Sequence, residues 1–126
     1  MAELYHCYTL FSISFIHYNE VKMVKINHLI SINMLPELLK HDYLFIDLRE
    51  PYQYKQLHLT KFVNIPYQDF KFDKFDCPKN KPIFLICYSG KRSSDLALKL
   101  IASGYQAYSF DGGFYAIEHP IDPNYY

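Results

Sequence analysis

The sequence predicts an α/β domain, a small parallel β-sheet flanked by helices on both faces. Three observations predict it. Short apolar runs alternate along the chain with segments of helical period. The strongest run, IFLIC at 83–87, is apolar at every position, as expected of a strand covered on both sides. Strands and helices alternating within 126 residues imply right-handed βαβ crossovers between parallel strands. That length suffices for one domain whose core needs no metal or disulfide staple.

The elements follow in order. Residues 1–22 read as an N-terminal extension of uncertain structure and 23–126 as the domain, because MVKINHL from Met23 resembles a natural start. Residues 4–19 contain no Lys, Arg, Asp or Glu, and the FSISF alternation at 11–15 favours a strand. The stretch is shorter than the roughly 20 apolar residues of a spanning helix and is broken by His, Ser and Thr. The MAE ahead of it lacks a signal peptide's positive charge, so no membrane partner is expected. Asn33 before MLPELLK is the expected N-cap of a first helix, with Pro36 in its first turn. YLFID (43–47) is a short strand, and KFVNIP (61–66) is a second, stopped by Pro66 and followed by a weak helical stretch from about Tyr67 to Phe72. After IFLIC, SSDLALKLIASG (93–104) carries Leu96, Ala97, Leu100 and Ile101 at helical spacing, with Ser93 or Ser94 as cap and Gly104 at C′. QAYSF (106–110) is the last strand, closed by a DGG turn.

Composition excludes one class of partner. The formal net charge is +0, with 13 basic and 13 acidic residues interspersed, so the basic footprint of a nucleic-acid binder is missing. The 13 Tyr and 10 Phe read as core and half-buried residues instead of base-stacking platforms. The six His residues are scattered, and the three Cys, at 7, 77 and 87, show no zinc-ligand spacing. Free thiols fit a reducing compartment, hence a cytoplasmic location.

One cysteine stands apart. Cys87 ends the IFLIC strand, Ser93 starts the next helix, and YSGKR between them is a strand-to-helix loop at the sheet's carboxyl edge, where α/β ligands bind. Gly90 allows a backbone turn that points successive N–H groups inward, and the helix N-terminus adds further donors and positive potential. Lys91 and Arg92 add formal charge, and the Ser89 and Ser93 hydroxyls add hydrogen-bond capacity. Every one of these groups favours a sulfur anion at Cys87, or an anionic substrate approaching it. Tyr88 reads as a wall of the loop. A lone cysteine at a strand end is ordinarily a small buried hydrophobe; the setting at 87–93 argues otherwise here, whereas Cys7 and Cys77 lack such surroundings and read as bystanders.

FIDLREPYQY (45–54), His58, NIP (64–66), CYSGKRS (87–93) and GYQAYSFDGG (104–113), in this order, resemble the single-domain rhodanese-like family. Its pattern is an apolar strand ending in D-x-R-E, a G-H-I-x-G-A-x-N-I-P segment, a C-x-x-G-x-R-S loop and a terminal G-G-x-x-x-W. The likeness spans approximately Val24 to Ile117. It implies the parallel α/β fold and a sulfurtransferase in which Cys87 is the nucleophile and Tyr88, Ser89, Gly90, Lys91, Arg92 and Ser93 form the substrate loop. Asp47 and Arg49 match the family's D-x-R beside that loop, as support for it or as a structural ion pair. The implied partners are a small anionic sulfur donor such as thiosulfate or polysulfide, and a thiol, cyanide or an acceptor protein. No cofactor is implied, since a Cys87 persulfide carries the transferred group.

Departures from the pattern are Leu57 for Gly, Lys61–Phe62 for G-A, and Ile117 for Trp; His58 reads as a structural hydrogen-bonding residue. Two other functions compete. A cysteine-dependent phosphatase or arsenate reductase would use the wider C-x5-R loop, and Cys87 to Arg92 is C-x4-R. A persulfide relay or sensor would take up sulfur without turning over until its protein partner arrives.

Overall fold

The structure, a computed structural model, describes residues 28–117; the FSISF segment and the domain boundary at residue 23 lie outside the described residues. Strands β1 (Leu29–Ile30), β2 (Leu44–Asp47), β3 (Val63–Asn64), β4 (Ile83–Ile86) and β5 (Ala107–Phe110) form one sheet. Its order is β1-β5-β4-β2-β3 and every neighbouring pair is parallel. The register sets Leu44 opposite Ile83 and Asp47 opposite Ile86, with Leu85 opposite Ser109 on the other flank of β4. All four residues of β4 are buried, as a continuous apolar run at the centre of a parallel sheet should be.

Side chains alternate across the strands and build a core on each face. On one, Ile46, Leu48, Ile83, Leu85, Cys87 and Ala107 meet Leu96, Ala97 and Leu100 of the long helix. On the other, Phe45, Phe84, Ile86 and Phe110 meet Leu35, Leu39, Leu59 and Phe62. Phe84 is the hub of that second face: its ring lies 5.3 Å from Tyr43, 5.6 Å from Phe45, 5.1 Å from Tyr108 and 6.1 Å from Phe110. Among the described residues most aromatic rings thus lie in the core or pack against it. Burial raises the Tyr43 and Tyr108 phenols above their ordinary range, for Tyr108 with the nearby Tyr43 contributing.

The helices differ in detail from expectation. The first is α1 (Leu35–Leu38), entered through a 3-10 turn at Ile32–Met34. Asn33 is not its cap: the Ser31 hydroxyl accepts the Asn33 N–H at 3.1 Å, and Met34 precedes the helix without a side-chain cap. A short helix α2 (Pro51–Gln56), unforeseen in the sequence, starts with a capping box in which the Glu50 and Gln53 side chains satisfy each other's backbone N–H groups. Only Val63–Asn64 of KFVNIP pairs as a strand, and Tyr67–Phe72 holds a 3-10 turn at Tyr67–Asp69, with another at Phe72–Lys74. The long helix α3 spans Lys91–Ala102 and begins two residues earlier than expected. Its N-cap is Gly90 in the left-handed region, so neither Ser93 nor Ser94 caps it, and Lys91 and Arg92 belong to its first turn instead of the loop. Gly104, at φ +98, stands just past its end as foreseen.

Phe84→Ala removes the hub of the aromatic face. Urea denaturation should show a loss of about 3–5 kcal/mol, read as a lower midpoint at unchanged slope.

Candidate active site

The loop after β4 is short because α3 starts at Lys91: only Cys87 to Gly90 lie between strand and helix. Gly90 takes φ +96, which turns the chain back so that its own N–H points at the preceding cysteine. Gly90 N donates to Cys87 Sγ at 3.1 Å and Ser93 N donates at 3.3 Å. The Ser93 hydroxyl lies 3.4 Å from the same sulfur. Both backbone donors belong to the opening of α3, where N–H groups have no intrahelical acceptor and the helix dipole is positive. The sulfur is thus surrounded by two N–H groups, from residues 90 and 93 and not from successive residues, and by one hydroxyl. Cys87 is only 3% exposed, while Tyr88, Ser89, Lys91 and Arg92 around it are exposed.

The loop is held from the other side by backbone. Past β5 the chain turns through Gly112 and Gly113, at φ +80 and +60, into a 3-10 turn at Gly113–Ala116. Phe114 N donates to the Cys87 carbonyl and Tyr115 N to the Tyr88 carbonyl, both at 2.9 Å. The two backbones touch so closely that a Cβ on Gly113 would stand 2.4 Å from the Cys87 oxygen and 2.7 Å from Gly90 N and the Tyr88 oxygen. Gly113, expected only as part of a closing turn, and Phe114, not singled out in the sequence, therefore brace the cysteine loop. Two adjacent glycines at a strand's carboxyl end were the available signal.

Asp47 and Arg49 form a buried ion pair, 1% and 7% exposed, at the end of β2. Asp47 Oδ1 accepts the Arg49 backbone N–H at 2.9 Å, and Oδ2 accepts from Arg49 Nη2 at 2.9 Å. The same Nη2 reaches the Leu57 carbonyl at 2.6 Å, and the guanidinium lies 3.7 Å over the Phe114 ring. Asn64 Nδ2 donates to the carbonyls of both Asp47 and Arg49 at 3.0 Å. Neither side chain of the pair has a hydrogen bond to Cys87; they reach the loop through Phe114. His58 Nδ1 bonds the Tyr54 carbonyl at 2.7 Å and its ring stacks on Tyr54.

The remaining residues form the rim. Tyr88 and Tyr115 meet edge to face at 5.8 Å, so Tyr88 is part of a wall. Ser89 Oγ accepts the Lys91 N–H at 3.4 Å and makes no bond to the sulfur. Arg92 lies 5.3 Å over the Tyr67 ring. The Tyr67 hydroxyl donates to Asp95 Oδ2 at 2.6 Å, a bond that raises the Tyr67 phenol and lowers the Asp95 carboxyl from their usual ranges. Cys87 is a free thiol, and among the described residues no cluster of His, Cys, Asp and Glu could hold a metal. No helix among those residues is long and apolar enough to cross a membrane.

The model of the Rhodanese-like domain family matches residues 32–119. The thiosulfate sulfurtransferase GlpE of Pseudoalteromonas translucida is 33% identical over 91 residues, covering 71% of this chain and 87% of that protein. The adenylyltransferase and sulfurtransferase uba4 of Ogataea parapolymorpha is 37% identical over 83 residues, 64% of this chain but only 21% of that protein's length. Among solved structures, a rhodanese homologue from the extremely thermophilic bacterium Thermus thermophilus superposes with a TM-score of 0.56 at 30% identity, covering 69% of this chain and 96% of that one.

Two substitutions probe how the loop is held. Gly113→Ala adds a Cβ to a left-handed residue pressed on the loop backbone; it should cost more than about 2 kcal/mol by thermal or urea unfolding and alter Cys87 alkylation in whatever protein stays folded. Asp47→Ala strands the Arg49 charge in the interior and should cost about 3–5 kcal/mol in the same unfolding assay.

Proposed function

The chain belongs to the rhodanese-like family, and on that premise we propose that it is a sulfurtransferase working through a persulfide on Cys87. The carrying observation is the convergence of Gly90 N–H, Ser93 N–H and the Ser93 hydroxyl on one sulfur, at 3.1, 3.3 and 3.4 Å. Hydrogen-bond donors aimed at a sulfur favour its anion, and the anion is the nucleophile.

The Cys87 thiolate attacks the outer sulfur of thiosulfate or of a polysulfide. A new S–S bond forms to Cys87 as the donor's own S–S bond breaks, and the pair of electrons leaves with sulfite or with the shortened polysulfide. The terminal sulfur of the persulfide then carries the negative charge. A thiolate or cyanide attacks that outer sulfur, and Cys87 leaves as a thiolate, ready for another cycle. No metal, redox cofactor or external oxidant enters the balance. Lys91 and Arg92, exposed at the mouth, attract the anionic donor, and Tyr88 with Tyr115 walls one side of the approach. Asp47 and Arg49 act on the reaction only by holding the loop, through Phe114.

The experiment is the intact mass of wild type and Cys87→Ser after thiosulfate, followed by cyanide. Wild type should gain one sulfur atom and lose it to cyanide with formation of thiocyanate, while Cys87→Ser gains none. No gain by wild type from thiosulfate or polysulfide would overturn the proposal. A protein that gains sulfur but never returns it to cyanide or small thiols would be a relay instead of a turnover enzyme.

A further inference from the structure

The Ser93 hydroxyl has a neighbour that the sulfur chemistry above does not use. Ser109 lies on β5, opposite Leu85 of β4, and turns to the same face as Ala107, against α3. An apolar residue would suit that place. Instead Ser109 and Ser93 are both 0% exposed, and their hydroxyl oxygens are 2.7 Å apart.

Counting hydrogens decides which way this bond runs. Each hydroxyl brings one hydrogen and can accept two. Ser93 Oγ has three neighbours: Ser109 Oγ at 2.7 Å, the Gly90 carbonyl at 3.2 Å and Cys87 Sγ at 3.4 Å. Among the described residues the Ser109 hydroxyl has one partner, Ser93 Oγ. If Ser93 donated to Ser109, the Ser109 hydrogen would be left buried with no acceptor, at the cost of an unmade hydrogen bond. Ser109 must therefore donate to Ser93. The Ser93 hydrogen is then left for the Gly90 carbonyl or for the sulfur.

We propose that Ser109 is a positioning residue for the sulfur chemistry: by donating to Ser93 it commits the Ser93 hydrogen to the cysteine loop, where it follows the charge on Cys87. With a neutral thiol, Ser93 accepts from Ser109 and from the Cys87 S–H, and donates to the Gly90 carbonyl. When Cys87 loses its proton to solvent, the Ser93 hydroxyl rotates and donates to the sulfur anion. The backbone does not move, no proton leaves either serine, and Ser109 holds Ser93 Oγ in place through the change. The same bond serves each time the transfer cycle regenerates the thiolate. The inference rests on the reading of Cys87 as the reacting sulfur.

The test compares full-length Ser109→Thr and Ser109→Val, which have nearly the same shape and differ in the hydroxyl, with Ser109→Ala as a smaller alternative. Each is made in the wild-type and Ser93→Ala backgrounds. The readout is the rate of Cys87 alkylation by iodoacetamide in mildly acidic and in alkaline buffer, alongside thiosulfate loading by mass. In acidic buffer Ser109→Val and Ser109→Ala should react roughly fivefold more slowly than wild type, the worth of one modest hydrogen bond. Ser109→Thr should retain most of the rate. The difference should shrink in alkaline buffer and should vanish in the Ser93→Ala background, because the effect runs through Ser93. Equal rates for Ser109→Val and Ser109→Thr would overturn the inference, as would equal slowing in both backgrounds. Failure of wild type to load sulfur would sink the sulfur-transfer reading, while the alkylation comparison would still decide the role of Ser109.

Discussion

Backbone contact between two loops is the constraint on which the site depends. A cysteine at the end of a central strand offers its sulfur to the opening of the next helix only if the intervening chain doubles back within three residues. Gly90 makes that reversal, and the 112–115 turn keeps it in place with two backbone hydrogen bonds, Phe114 N to the Cys87 carbonyl and Tyr115 N to the Tyr88 carbonyl. A side chain on Gly113 would occupy the space of three loop backbone atoms. The two glycines of the turn thus matter for what they lack, and the cradle around the sulfur is as much a property of residues 112–115 as of residues 87–93.

Four of the five buried polar residues among those described lie at the same end of the sheet. Asp47 and Arg49 at the end of β2, and Ser93 with Ser109 beside β4 and β5, are all buried, and no buried side-chain nitrogen or oxygen among the described residues lacks a partner. Lys81, also buried, precedes β4 at its other end, and each of these burials carries a desolvation cost. Arg49 offsets its own burial by serving three neighbours at once: the Asp47 carboxylate, the Leu57 carbonyl and the Phe114 ring. Through the last it ties the end of β2 to the turn that braces the cysteine loop.

Departures from the family pattern are absorbed locally. Leu57 is exposed and contributes its carbonyl to Arg49, a contact for which any residue would serve. Lys61 takes φ +73, where the family pattern has a glycine; a non-glycine residue there costs about 1 kcal/mol, offset in part by the Lys61 ammonium donating to the Leu39 carbonyl. Phe62 fills the space between Phe45 and Phe110. Ile117 packs against the Phe84 face, where the pattern has a tryptophan. None of these positions touches Cys87.

By itself the sequence determined the parallel α/β architecture, the central buried strand at 83–86, the long helix after it, and the placement of Cys87 at the sheet's carboxyl edge. Those features follow from local patterns: a run with no polar interruption, a helical repeat of apolar residues, a glycine after a cysteine. The capping box at Glu50 and Gln53 was also written locally, in a segment whose helix has no buried residue and hence no apolar stripe to betray it. The two-residue strand β1 left no pattern long enough to read, and β3 was legible only as the longer run KFVNIP. Tertiary structure alone decided that α3 is capped by Gly90 and not by its serines, because the Ser93 hydroxyl is taken up by Gly90, Ser109 and the sulfur. It also decided that the glycine turn braces the cysteine loop, and that Ser109, sixteen residues from Ser93, completes its hydrogen bonding. Such pairings join positions far apart in the chain, and only the register of β4 against β5 brings them within reach.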